Sequence, residues 1–98
     1  MTMAIKTVNH KRLWSHMMRM AEIGATPNGG CNRQALTDLD NIGRKLLIEW
    51  ATDIGCCHHF DEIGNLFIRR AGQYPNKPVV LTGSHLDTQP SGGKYDGI

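Results

Sequence analysis

Apolar and polar positions along the chain fall into two helical stripes followed by short runs of strand-like character. From Asn9 to about Gly24, Leu13, Met17, Met20, Ala21 and Ile23 recur at helical spacing, with Asn9 or Thr7 placed to cap the start and Gly24 to stop it. A second stripe, Leu39, Ile42, Leu46, Leu47, Trp50, Ala51 and Ile54, predicts a helix opened by Thr37 and closed at Gly55. Its first turn carries Asp38 and Asp40, which suit the positive end of the helix dipole. Between the two lies GATPNGGCNRQAL, whose glycines and proline require a loop of several tight turns. Beyond Gly55, CCHHFDEIGNLFIRR divides into two short runs around the turn pair Gly64 and Asn65, the pattern of a hairpin. After the loop AGQYPNKP, the run VVLTGSH is short, apolar and bounded by turn residues, which predicts a buried strand. The order is thus helix, helix, strand, strand, strand, an α/β pattern.

Composition narrows the function classes without naming one. At 98 residues there is room for a single modest core, and 40% apolar with 20% charged residues is a globular balance. The net charge is +2 with no block of one sign, so a nucleic-acid partner is not expected. No signal-peptide core opens the chain and no run of about 18 apolar residues crosses a membrane, which predicts a cytoplasmic protein without a membrane partner. Cys31, Cys56 and Cys57 form neither a CxxC motif nor a zinc-knuckle spacing and are expected as reduced thiols. In CCHH, adjacent residues of a strand point to opposite faces, so His58 and His59 are expected to be structural.

The chemistry concentrates in GSHLDTQPSGGKYDGI, residues 83–98. His85 and Asp87 sit one residue apart, so in extended backbone their side chains share one side while Leu86 faces the other. A carboxylate beside an imidazole can fix which ring nitrogen carries the proton, the usual arrangement behind a metal-bound histidine. Asp96 follows within a glycine-rich loop that lets backbone segments approach closely. Taken singly, a histidine at a strand end is more often a surface residue, and Asp-Gly is a common turn pair. The joint pattern S-H-x-D-T, a proline, then G-G-x-Y-D-G is far more restrictive.

That segment resembles the first metal-binding segment of the M20 family of metallo-amidohydrolases and peptidases. Within it, the pattern is similar to the N-carbamoyl-L-amino-acid hydrolases, bacterial-type β-ureidopropionases and allantoate amidohydrolases. GGCNRQALTDLD and DEIGNLFIRR resemble two further family segments, so the likeness extends from about Ile23 to Ile98. The resemblance implies the N-terminal part of a zinc-peptidase-like α/β/α sandwich: residues 1–98 would be part of a catalytic domain whose remainder, with a dimerisation domain, is absent.

It also implies roles. His85 would be a metal ligand, Asp96 a carboxylate bridging two divalent ions (Zn, Mn, Co or Ni), and Asp87 the catalytic-site residue that clamps the His85 ring. The peptide after Asp96 would often be cis. Asn32 and Arg33 would lie in a loop near the site, with a loop-anchoring ion pair as the ordinary alternative. The implied reaction is hydrolysis of a non-peptide C–N bond in a carbamoyl or ureido amino acid or allantoate, by a homodimeric parent enzyme. The general-base glutamate is not in this chain, so the 98 residues alone are expected to be inactive. Two other readings stand beside this one: a non-catalytic interaction module of the same family, and an aminoacylase or peptidase of the M20 type.

Overall fold

The computed structural model describes residues 6–98; the leader reading of the first five residues lies outside them. Helix α1 runs His10–Glu22 and helix α2 Asp38–Asp53. Strands β1 (Cys57–Phe60) and β2 (Leu66–Arg69) form one antiparallel hairpin, pairing Cys57 with Arg69 and Phe60 with Leu66. Among the described residues no helix is long and apolar enough to cross a membrane.

The ends of the helices follow local chemistry. Of the two candidate caps for α1, Asn9 serves: its Oδ1 accepts from Arg12 N at 3.0 Å, meeting one of the free donors of the first turn. Thr37 does the same for α2, accepting from Asp40 N at 3.3 Å. One oxygen of the buried Asp40 carboxylate then reaches back to Leu36 N (3.2 Å), which sits at φ +64°, and binds Arg44 Nε (3.3 Å). Arg44 continues outward to the Gly64 carbonyl and lies 5.9 Å over the Phe60 ring, tying α2 to the hairpin. The helices meet where His16 stacks on Trp50, ring centres 4.1 Å apart.

The hairpin turn is held by Asp61. Its Oδ1 accepts from Asn65 N (2.8 Å) and Ile63 N (3.2 Å), and its Oδ2 accepts from Asn65 Nδ2 at 2.7 Å. His58 and His59 point to opposite faces, as expected: His59 stacks on Phe67 and His58 meets Phe60 edge-on.

The predicted buried strand at residues 79–85 is not one. The segment is extended but has no ladder partner among the described residues, and Val79, Val80 and Leu81 are 71%, 94% and 79% exposed. A strand is defined by its neighbour, and the hairpin's β2 bonds only to β1. From Leu81 onward the segment instead lines an open groove of about 1060 Å³ walled also by α1, α2 and β2, while Val79 and Val80 lie outside it. A radius of gyration of 15.7 Å, against about 13 Å for a closed domain of this size, agrees with an open side.

The Asn65 side chain, followed by backbone donors, holds the Asp61 carboxyl below its ordinary value of 3.8. A lowered folded value contributes stability above the unfolded pKa that is lost as pH falls through the folded one. Hairpin amide protection is therefore expected to be flat above pH 3.8 and to drop below it, with Asn65→Ala moving that drop upward, as read by hydrogen exchange at Ile63 and Asn65.

Candidate metal-binding segment

The segment carrying His85 is anchored from behind. Arg33 has no exposed surface, yet no carboxylate lies within ion-pairing distance of it among the described residues. Its donors go instead to carbonyls and, from Nη1, to the Cys31 sulfur at 3.3 Å. Nη1 donates to Met20 O (2.9 Å) and Ile23 O (2.7 Å) at the end of α1, and Nε (3.1 Å) and Nη2 (2.9 Å) both donate to Leu86 O. The partial negative charge of a helix C-terminus makes this a suitable place for a cation. The anchoring ion pair raised by the sequence is thus replaced by dipoles, and Arg33 faces the interior rather than a substrate. Asn32, half-buried, bonds through its backbone N to Gly24 O (2.8 Å) and accepts from Gln34 at its Oδ1 (3.1 Å).

Thr88, which sequence reasoning did not single out, completes the anchor. Its Oγ1 accepts from Arg33 N (2.7 Å) and lies 3.1 Å from Cys31 O, to which it can donate, while Thr88 N donates to Arg33 O (2.7 Å). Cys31 and Gly92 exchange two further backbone bonds at 2.8 and 3.0 Å. Glycine is required at residue 92, since a Cβ there would stand 2.9 Å from the Thr88 side chain. The signal for Thr88 was present in S-H-x-D-T; its burial was not visible without the partner strand segment at Cys31–Arg33.

On the outer side, His85 and Asp87 come together as alternation predicts. His85 Nδ1 lies 3.2 Å from Asp87 Oδ1 and 3.0 Å from Asp87 O. Asp96 joins from the loop, its Oδ2 3.9 Å from His85 Nε2. Gly97, at φ +80°, packs on the imidazole so closely that a Cβ would stand 2.6 Å from Cε1 and 2.7 Å from Nδ1. No peptide bond among the described residues is cis, so the bond after Asp96 is trans. Trans is the form favoured by about 2.5–4 kcal/mol, and the turn is made by the positive φ of Gly97 instead.

The donors fit one cation in part. Zinc bonds to nitrogen and oxygen run to about 2.0–2.2 Å, so a single ion can reach both His85 Nε2 and Asp96 Oδ2 across 3.9 Å. Among the described residues no group of three or more His, Cys, Asp or Glu side chains is placed to hold a metal. The pair therefore supplies two donors and no more.

This architecture is a mixed α/β segment of two helices and an antiparallel hairpin. No family model matches the chain. Over 93 residues it is 47% identical to N-carbamoyl-L-amino-acid amidohydrolase of Rhizobium meliloti, covering 95% of this chain and 22% of that protein. Allantoate amidohydrolase of Bacillus subtilis is 36% identical over 78 residues, 80% of this chain and 19% of its own. The crystal structure of an amidase of the hydantoinase/carbamoylase family from Burkholderia multivorans superposes with a TM-score of 0.89 at 54% identity, over 92% of this chain and 22% of that one. By sequence and backbone alike, the chain is similar to one segment of the hydantoinase/carbamoylase family amidases. The chain spans about 22% of the length of these relatives.

Two substitutions separate anchor from site. Thr88→Val leaves a buried Arg33 N–H without its acceptor and is expected to lower stability by about 1–3 kcal/mol in urea unfolding. Gly97→Ala places a side chain in left-handed backbone, at roughly 1–2 kcal/mol, and drives the His85 ring from its seat. The ring resonances of His85 should move in the second variant and keep their positions in the first.

Proposed function

We propose that this chain contributes half of a two-metal amidohydrolase centre acting on the C–N bond of a linear, non-peptide amide. The observation that carries the reading is the convergence of His85 Nε2 and Asp96 Oδ2 at 3.9 Å, with Asp87 behind the ring and Gly97 beneath it. The names of the relatives support the substrate class: N-carbamoyl amino acids, ureido acids or allantoate. Zn, Mn, Co or Ni suit a mixed nitrogen and oxygen donor set.

His85 would hold one ion through Nε2, and the two oxygens of Asp96 would serve a pair of ions. With the proton on Nδ1, the ring donates to Asp87 and keeps the Nε2 lone pair outward. Bound divalent ions would lower the pKa of water and polarise the amide carbonyl under attack. A complete enzyme of this kind would work as a cytoplasmic homodimer. Two donors fall short of the roughly three protein ligands of a catalytic zinc, so the 98-residue chain by itself binds metal weakly and does not turn over.

A second reading is favoured by the open face. Val79, Val80 and Leu81, exposed on extended backbone that has no ladder partner among the described residues, form an edge to which another chain can add a strand. In this reading the chain is an interaction module that docks on a homologous amidohydrolase polypeptide.

Calorimetric zinc titration is expected to show weak binding that His85→Ala and Asp96→Ala each abolish; binding indifferent to both would remove the site. Incubated with N-carbamoyl amino acids, allantoate, N-acetyl amino acids or dipeptides plus Zn, Mn or Co, the chain should release no product above the blank. Release of ammonia would overturn the inactivity, and release of acetate or amino acid would point to an aminoacylase or peptidase. For the second reading, gel filtration with the Rhizobium meliloti relative should show a complex that Val80→Asp dissolves, and independent elution would dismiss it.

A further inference from the structure

The Leu86 carbonyl belongs to the peptide that joins Leu86 to Asp87, and His85 and Asp87 project from either side of Leu86. Two prongs of the Arg33 guanidinium close on that one oxygen, at 3.1 and 2.9 Å, from the face opposite the site. The remaining nitrogen is spent on the C-terminal carbonyls of α1, at 2.9 and 2.7 Å, and on the Cys31 sulfur at 3.3 Å. A fully buried arginine without a counter-ion is costly to keep, and a structural tether of two segments could be made with neutral groups. What a guanidinium adds is geometry: a rigid planar fork fixes both the position and the rotation of the peptide it grips. Gly43 of α2 presses on this fork, since a Cβ there would stand 3.1 Å from Arg33 Cδ and 3.4 Å from Nε.

We infer that Arg33 is a positioning residue for the His85 and Asp87 pair: by clamping the Leu86 carbonyl it sets the angle at which Asp87 meets Nδ1 and Nε2 is offered outward. Its effect on a bound cation rests on the metal reading above; its effect on the ring does not.

The test uses the 98-residue chain and two readouts. With metal absent and the imidazole neutral, nitrogen NMR reports the His85 tautomer; cobalt(II) titration reports affinity through its visible absorption. The wild-type ring should favour the Nδ1–H form facing Asp87. Arg33→Met, with helix content unchanged by circular dichroism, should shift it toward Nε2–H and weaken cobalt binding by roughly tenfold or more, the loss typical when a ligand loses its outer support. Arg33→Lys keeps the charge without the fork and should fail to restore either value. Should Arg33→Met not fold, Gly43→Ala, which keeps Arg33 but crowds its Cδ and Nε, is expected to give a smaller tautomer shift in the same direction. An unchanged tautomer in a folded Arg33→Met or in Gly43→Ala would overturn the inference, as would full recovery with lysine. Absence of cobalt binding in the wild type would defeat the metal reading, leaving the tautomer to decide the role of Arg33.

Discussion

The chain is organised around a cation that has no anion beside it among the described residues. Arg33 lies wholly inside and is balanced by carbonyl dipoles from two directions, the last turn of α1 and the peptide of Leu86. Because all its oxygen acceptors are backbone carbonyls, with the Cys31 sulfur (3.3 Å) its one side-chain partner, the interaction chiefly fixes the course of the chain. It joins residues 53 positions apart in sequence, and the paired bonds of Thr88 with Arg33 and of Cys31 with Gly92 zip the same two segments together on either side of it. Remove the guanidinium and the Leu86 carbonyl loses both its donors, while Met20 O and Ile23 O keep one each, from Ile23 N and the Cys31 thiol. The loop around Cys31 and the segment after Leu86 would then be held by the backbone pairs and the Thr88 hydroxyl that flank the gap.

The opposite half of the molecule lacks any such closure. Asp40 and Arg44 join α2 to the hairpin, yet Leu39 and Ile42 of α2 and its C-cap Ile54 stay 40%, 48% and 62% exposed, and the run from Val79 to Leu81 more so. Few large apolar side chains are withdrawn from water, so the hydrophobic contribution per residue is small and local polar devices carry an unusual share of the order. Asp40 illustrates the strain of that arrangement: one carboxylate oxygen serves two donors while the other is buried with none among the described residues.

What could be read from the sequence was whatever depends on near neighbours. The Asn9 and Thr37 caps, the glycine stops at Gly24 and Gly55, and the hairpin about Gly64 and Asn65 are each decided within a few residues, and each stands as expected. The His85 and Asp87 pair was legible for the same reason, since alternation alone puts them on one side. Asp96 was found through a family likeness, and its approach to Nε2 depends on a loop whose fold no short pattern specifies. The failures are all long-range. An apolar run was read as a buried strand, although burial and pairing need a partner that local composition cannot supply. For Arg33 the alternative to a place near the site was an anchoring ion pair; the anchor is made by carbonyls instead, because nothing near Arg33 in sequence announces those of Met20 and Leu86.

The site itself is left with an electrostatic imbalance that the anchor does not cure. The His85 imidazole stands between two carboxylates, Asp87 at 3.2 Å from Nδ1 and Asp96 at 3.9 Å from Nε2. A neutral ring has one N–H and can answer only one of them; its other nitrogen then turns a lone pair toward an anion. Two changes relieve that clash: a second proton on the ring, or a cation between Nε2 and Asp96. The first would consume the lone pair a ligand needs, and the second would use it. Gly97 lies against the Nδ1 and Cε1 edge of the ring, so Nε2 and the Asp96 oxygen stay accessible, and the structure leaves the space on which both converge open to whatever charge completes it.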